Sequence, residues 1–215
     1  MASISPHNTG PKSAAELFSA RGLIIAGLAI AASVLSICFL DAPLFEFVSL
    51  HVDHYAIHRL VINSGVILAA AVAIAALVSL RGPQSARLRK VLTVVIYSAI
   101  SAIGTNDFIL KAIFARPLPD AHGDSDQVFA FFRTVDSVNS SFPSGHSALA
   151  VAAVTVLWRF YPAWRTLYLL CLAVIAFFLL AGEWHYLSDL IAGALWGWIC
   201  ASVSLRLLAP IVREA

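Results

Sequence analysis

Two short polar runs interrupt an otherwise apolar chain, and both carry histidine. They are Phe142-Pro143-Ser144-Gly145-His146 and His185-Tyr186-Leu187-Ser188-Asp189, with His185 lying 39 residues after His146. A Ser-Gly-His run leading into a helix offers an anion backbone N–H groups, a hydroxyl and an imidazole, at the end that carries partial positive charge. Pro143 fixes how the chain enters the helix, and Gly145 allows a ligand to approach the backbone closely. His185 and Asp189 are four residues apart, so the spacing predicts a shared helix face on which the carboxylate orients the imidazole. The other ring nitrogen is then free as a base or nucleophile, the logic of a catalytic triad. Together the two runs predict phosphate chemistry at a membrane surface. Plainer readings exist for each. A serine cap before an apolar helix is common, but it leaves His146 without a reason. An interfacial histidine beside a solvated aspartate is also possible, yet an ionisable pair at the head of a strongly apolar helix is costly enough to point to function.

A third polar stretch is Lys111-Ala-Ile-Phe-Ala-Arg116-Pro117-Leu118-Pro119. On a continuing helix Lys111 and Arg116 could point toward a common anion, and Pro117 and Pro119 would then stop the helix. Taken alone, both cations read equally well as interfacial anchors whose stems snorkel to lipid headgroups.

The elements that must position these groups are apolar helices. Of 215 residues, 60% are hydrophobic and 12% charged, with a mean hydropathy of +0.86. Soluble domains carry roughly 25% charged residues, so the composition predicts an integral membrane protein. The net charge of +2, with no basic cluster among aromatics, excludes a nucleic-acid surface. Cys38, Cys171 and Cys200 lie inside apolar runs, without the number or spacing of a disulfide framework or a metal site. A bilayer core takes about 20 helical residues to cross. Six such segments are expected near 22–40, 61–80, 91–110, 146–158, 167–182 and 187–208. The third is weakened at its end by Asn106 and Asp107, and the fourth is short unless it begins at the Ser-Gly-His run. The expected fold is all-α, one six-helix transmembrane bundle over residues 21–210, preceded by a disordered cytoplasmic N-terminus over 1–20. The first apolar run has no small-x-small cleavage site before Asp41, so it is expected to be a retained span.

Orientation follows from Lys and Arg. With the N-terminus in the cytoplasm, ten of them fall on the cytoplasmic side, including Arg81, Arg87, Arg89 and Lys90. Four fall outside: Arg59, Lys111, Arg116 and Arg133. The segment 111–145 and the turn at His185 are then both extracytoplasmic, so the polar runs can meet on one face. Both termini are cytoplasmic in this arrangement, and a bacterial inner (plasma) membrane is the expected location.

Lys111 and Arg116, then Ser144-Gly145-His146, then His185 and Asp189, in that order in a six-span protein, resemble the type 2 phosphatidic acid phosphatase superfamily over roughly residues 20–208. The resemblance implies a lipid phosphate phosphatase. His185 would attack phosphorus and become a phosphohistidine, with Asp189 orienting it. His146 would protonate the leaving group, and Lys111, Arg116, Ser144 and Gly145 would hold the phosphate oxygens. No metal or other cofactor is expected, and the partners are the bilayer and a membrane lipid phosphate. Phosphatidic acid, phosphatidylglycerophosphate, undecaprenyl diphosphate and a lipid A phosphate are all candidates.

The chain departs from the family pattern twice. Leu118 stands where the first motif usually has the arginine before its last proline, and Phe178-Leu179 stand where the third usually has Ser-Arg. Arg116 fits a second arginine found two residues earlier in many members, and Arg133 is the spare cation of the outer segment. Two alternatives stay open: a phosphotransferase in which a lipid or sugar hydroxyl replaces water, and a weakened member acting in membrane binding or transport. His51, His54 and His58 are spaced to line one helical face. They predict an amphipathic interfacial helix ahead of a zinc site, which needs converging ligands. Trp158, Trp164 and Trp184 sit at expected span ends, as an aromatic belt would.

Overall fold

The computed structural model describes residues 19–52, 57, 86–119, 129–132 and 140–210. Among them every regular element is helical. Helix α1, Ala20–Leu35, starts at Ser19, whose side chain accepts from the Gly22 N–H at 3.2 Å and satisfies one of the orphan donors of the first turn. It runs into a π-helical segment, Ser36–Leu40, and then into α2, Asp41–His51. Helix α3, Ala86–Thr105, repeats the device. A second π-helical segment, Asn106–Leu110, leads to the single turn α4, Lys111–Phe114. Each π segment opens on a fully buried polar residue, Ser36 in the first and Asn106 in the second. Insertions of this kind, which break the 3.6-residue period, recur at functional sites.

The third expected span is therefore longer than its sequence suggested. Asn106 and Asp107 do not end it, and an apolar helical run continues from Ala86 to Phe114. The polarity of Asn106 is used inside the protein, where its side-chain amide donates to the Pro143 carbonyl at 3.0 Å. The run stops at Ala115, which is left-handed (φ 42, ψ 50) and closes its N–H onto the Lys111 carbonyl at 2.7 Å. Pro117 then forbids another helical turn.

The remaining helices are α5, Gly145–Phe160; α6, Arg165–Ala181; and α7, Leu187–Leu207. Among the described residues, four helical stretches are long and apolar enough to cross a membrane: Ala20–Phe39, Ala86–Phe114, Pro162–Ala181 and Leu187–Leu207. Helix α5, with 16 residues, is shorter. Five of the six expected spans thus fall on described helices, and the one at 61–80 lies outside the described residues. Leu23 and Leu28 on α1, and Leu170 and Phe177 on α6, are more than half exposed. An apolar surface of that extent suits lipid and not water.

Helices α5 and α7 form the central pair, and α3 packs across both. They approach so closely because α7 carries Gly193 and Gly197 four residues apart, the small-xxx-small spacing of membrane helix crossings. A Cβ at Gly193 would lie 2.3 Å from the Ser144 carbonyl oxygen, and one at Gly197 would lie 2.2 Å from that of Ala148. Around this crossing Val91, Val94 and Ala102 of α3 meet Ala148, Ala152 and Val156 of α5 and Ala201 and Leu205 of α7. No side chain stands between the two backbones at either glycine, so the start of α5 is fixed against the start of α7.

Gly197→Ala should therefore force α5 and α7 apart and cost about 1–3 kcal/mol, as overpacking does. Gly104→Ala is the control: it lies in α3 with nothing within 4 Å of an added Cβ, and relief of helical glycine should leave stability equal or higher by about 0.5–1 kcal/mol. Thermal melts of the two purified variants in one detergent check the contrast. A Gly197→Ala melt at or above wild type would contradict the crossing.

Candidate active site

Asp189 is the centre of the site. Tyr186 is the residue before α7, and Asp189, at the third helical position, reaches back to accept the Tyr186 N–H at 2.9 Å. This is the carboxylate half of a capping box, favoured by the positive end of the helix. The same carboxylate accepts the Ser141 hydroxyl on Oδ2 and Arg116 Nη1 on Oδ1, the latter at 2.6 Å. Asp189 is fully buried, so each of these donors offsets desolvation of its charge.

His185 stands beside it with Nδ1 3.4 Å from Asp189 Oδ2. That is ion-pair range, longer than a well-formed hydrogen bond. The spacing of four residues does bring the pair together, though not by a shared helix face. Helix α7 begins at Leu187, so His185 lies in the turn ahead of it and Asp189 folds back through the cap. The turn itself is tight. The Gly182, Glu183 and Trp184 N–H groups donate to the carbonyls of Phe178, Leu180 and Leu179, and Glu183 is left-handed at φ 56. A buried acidic residue in that conformation is strained, and strain of this kind concentrates at functional sites.

Ser144 caps α5, accepting from the Ser147 N–H at 3.4 Å, and its own N–H donates to the Asp189 carbonyl at 3.0 Å. The second and third motifs are thereby joined backbone to backbone. The peptide before Pro143 is cis. Gly145 faces the end of the third helical run. A Cβ there would sit 3.2 Å from Asp107 Oδ1, 3.5 Å from Asn106 Nδ2 and 3.8 Å from Lys111 Nζ. Lys111 in turn pairs with Asp107 at 2.8 Å. The His146 ring lies 6.2 Å from that of His185, centroid to centroid, and 6.1 Å from that of Trp184. Trp184, expected to mark only membrane depth, is thus a wall of the site.

Arg116 goes elsewhere than the sequence suggested. The left-handed turn at Ala115 breaks the helix that would have aligned it with Lys111, and its side chain is wholly buried. Nη1 bonds Asp189 Oδ1 and the Ser188 hydroxyl, the latter at 2.7 Å, while Nη2 pairs with Asp41 Oδ2 at 2.8 Å. The guanidinium also lies over the Tyr186 ring at 4.0 Å from its centroid. Arg116 therefore holds carboxylates, while Lys111 is the cation brought to Gly145. Leu179 is buried against Leu190 and supplies packing where the family pattern has arginine. Arg133 lies outside the described residues.

Sequence reasoning missed Asp41, Ser141 and Ser188, which complete the buried polar network, and Asp107, which holds Lys111. A signal was present for Asp41: a carboxylate at the end of an apolar run satisfies the same rule that singled out Asp189. Of the histidine triplet, His51 is described, exposed, and bonds the Phe47 carbonyl through Nδ1 at 2.8 Å. His54 and His58 lie outside the described residues, and among the described residues no group of three or more His, Cys, Asp or Glu could hold a metal.

The ordered motifs, their convergence and the helical frame agree with a comparison against known families. The PAP2 superfamily model matches residues 88–213, more than half of the chain and all three motifs. Neither a curated protein nor a solved structure matches it. On the motifs, their geometry and this match, the chain belongs to the type 2 phosphatidic acid phosphatase (PAP2) superfamily.

Proposed function

We propose that the protein hydrolyses the phosphate or diphosphate of a membrane lipid through a phosphohistidine formed on His185, at the extracytoplasmic face. The observation that carries this reading is the facing pair His146 and His185, with Asp189 behind His185 alone. Family membership supports phosphatase-type chemistry on a phosphate ester. The asymmetry of the pair supports the division of labour. Asp189 beside Nδ1 favours positive charge on His185, as a nitrogen attacking phosphorus requires. In the first step the His185 Nε2–P bond forms and the P–O bond to the lipid breaks, while His146 gives its proton to the departing oxygen. In the second, water attacks phosphorus, His146 takes its proton, and the N–P bond breaks to release phosphate and free His185. Lys111, the Gly145 N–H and the Ser144 hydroxyl are the donors proposed for the non-bridging oxygens, where a positioned donor is worth about 3 kcal/mol. Arg116 is assigned to Asp189 and not to the phosphate.

A lipid substrate is supported by an apolar cavity of about 440 Å³ between α1, α7 and the end of the third helical run. Phe142 and Pro143, directly before Ser144, are part of its wall, so a chain lying there would end beside the second motif. The external face is supported by the distribution of Lys and Arg and by the single side on which the motifs converge.

His185→Ala should abolish phosphate release while leaving the melt of the purified protein unchanged. His146→Ala should lose about 10²–10⁴-fold, the usual contribution of positioned acid catalysis. Lys111→Ala should lower kcat/KM by more than about tenfold, or ~1.4 kcal/mol. A panel of phosphatidic acid, phosphatidylglycerophosphate, undecaprenyl diphosphate and lipid A phosphate, assayed with and without EDTA, checks all three. Full activity in either histidine variant, or loss in EDTA restored by a divalent ion, would overturn the reading.

Topology is tested separately in intact cells, in a background where Cys38, Cys171 and Cys200 are replaced. A cysteine at Ser137 should react with an impermeant thiol reagent, and one at Ser85 should not. The reverse pattern would put the site on the cytoplasmic side.

A further inference from the structure

Asp41 lies outside residues 88–213, so the family match assigns it nothing. It is nonetheless among the most thoroughly bonded side chains described. Its Oδ1 accepts the Ser36 hydroxyl at 2.7 Å and the Ser188 N–H at 3.1 Å, and its Oδ2 accepts Arg116 Nη2 at 2.8 Å and the Ser188 hydroxyl. The π-helical segment Ser36–Leu40 turns this carboxylate inward from a helix whose other face is apolar and exposed. The Ser33 hydroxyl, one turn earlier, reaches the Ser188 carbonyl at 3.1 Å. One edge of the first helical run is thus fitted to the start of α7, where Asp189 lies.

We infer that Asp41 is a positioning residue for the His185–Asp189 pair, acting through Arg116. The inference rests on the proposed role of His185. Its physical basis is a count of charges. Arg116 stands between two carboxylates, one terminal nitrogen on each. With Asp41 present, the trio carries two negative charges and one positive, leaving one net negative charge buried beside His185. That charge is what an imidazole becoming cationic needs. Without Asp41 the guanidinium would face one carboxylate of the pair in place of two, and its charge would weigh more fully on Asp189. Among the described residues, the other charged or titratable groups toward His185 are His146 on α5, Lys111 and Asp107 at the end of the third helical run, and Glu183 and Tyr186 in its own turn. Of these only Tyr186 bonds the Asp189 carboxylate among the contacts above, and it does so through its backbone N–H. Asp41 also fixes where Arg116 sits, and thereby which oxygen of Asp189 is left for His185: Arg116 takes Oδ1, and His185 faces Oδ2.

The test is a set of variants assayed for phosphate release from the best lipid of the panel. Asp41→Asn keeps the shape and removes the charge, and should lower kcat by more than about tenfold at unchanged KM, the pattern of an interaction made only in the transition state. Asp41→Glu should recover part of the loss. Arg116→Gln should also lower kcat, and the double variant should lose much less than the product of the two single losses, because the residues act as one unit. Should Asp41→Asn fail to fold, Ser36→Ala keeps every charge but removes one of the two donors to Asp41 Oδ1. It should then lower kcat measurably, with KM unchanged. Wild-type kcat in Asp41→Asn or, failing that, in Ser36→Ala would overturn the inference, as would multiplicative losses in the double variant. His185→Ala in the same series separates the two claims. If that variant is inactive and Asp41→Asn is not, only the role of Asp41 falls; if His185→Ala is active, the proposed function itself falls.

Discussion

One buried cation joins three separate stretches of the chain at the head of α7. Arg116 ties the first helical run, through Asp41, to the head of α7, through Asp189 and Ser188. Its backbone carbonyl also accepts from Ser141, whose side chain bonds Asp189. A buried ion pair adds little net stability compared with a well-packed apolar substitute, but removing one partner costs about 3–5 kcal/mol, because the other is left charged in a dry place. The network therefore acts less as a source of stability than as a rule of assembly. Chain arrangements that fail to bring Asp41, Arg116 and Asp189 together leave a charge buried without its partner.

This constraint explains a departure from the family pattern. Two arginines expected near the phosphate are Leu118 and Leu179 here, and Arg116 is committed to carboxylates. Lys111 is left beside Gly145, and Asp107 holds its ammonium in place. A lysine is a compact charge with freely rotating donors, unlike the rigid fork of arginine. In the proposed mechanism the cradle is consequently built more from backbone N–H and hydroxyl groups, which the fold itself orients, than from long side chains.

Much of this was legible in the sequence. Apolar runs gave the helices, and Ser144-Gly145-His146 and His185 with Asp189 meet as their residue types suggested. The misses share a cause. Arg116 was misplaced because the left-handed turn at Ala115 has no glycine to announce it. His185 was put on a helix because a spacing of four also separates the residue before an N-cap from the N3 carboxylate that folds back over it. Asp41 was passed over as the mere end of a span, because a π-helical segment leaves no mark in hydrophobic periodicity. In each case the deciding feature was a local break of regular backbone, stabilised by a tertiary contact far away in sequence. Gly193 and Gly197 were passed over too, and their partners Ser144 and Ala148 emerge only from the structure.

The crossing at those glycines has a mechanical consequence. Where two helices touch through their backbones, there is no layer of side chains to slide or re-pack, and the pair behaves as a rivet. Lipid of changing thickness acts on spanning helices chiefly by tilting them. Helix α6, whose apolar face is exposed among the described residues, lies outside that rivet, and α1 is held to it by polar contacts at one edge. The riveted pair carries His146 at the head of one member and His185 just ahead of the other. The gap between the two imidazoles is thus set by the rivet itself, while the apolar cavity beside it has one wall, α1, that the rivet does not include.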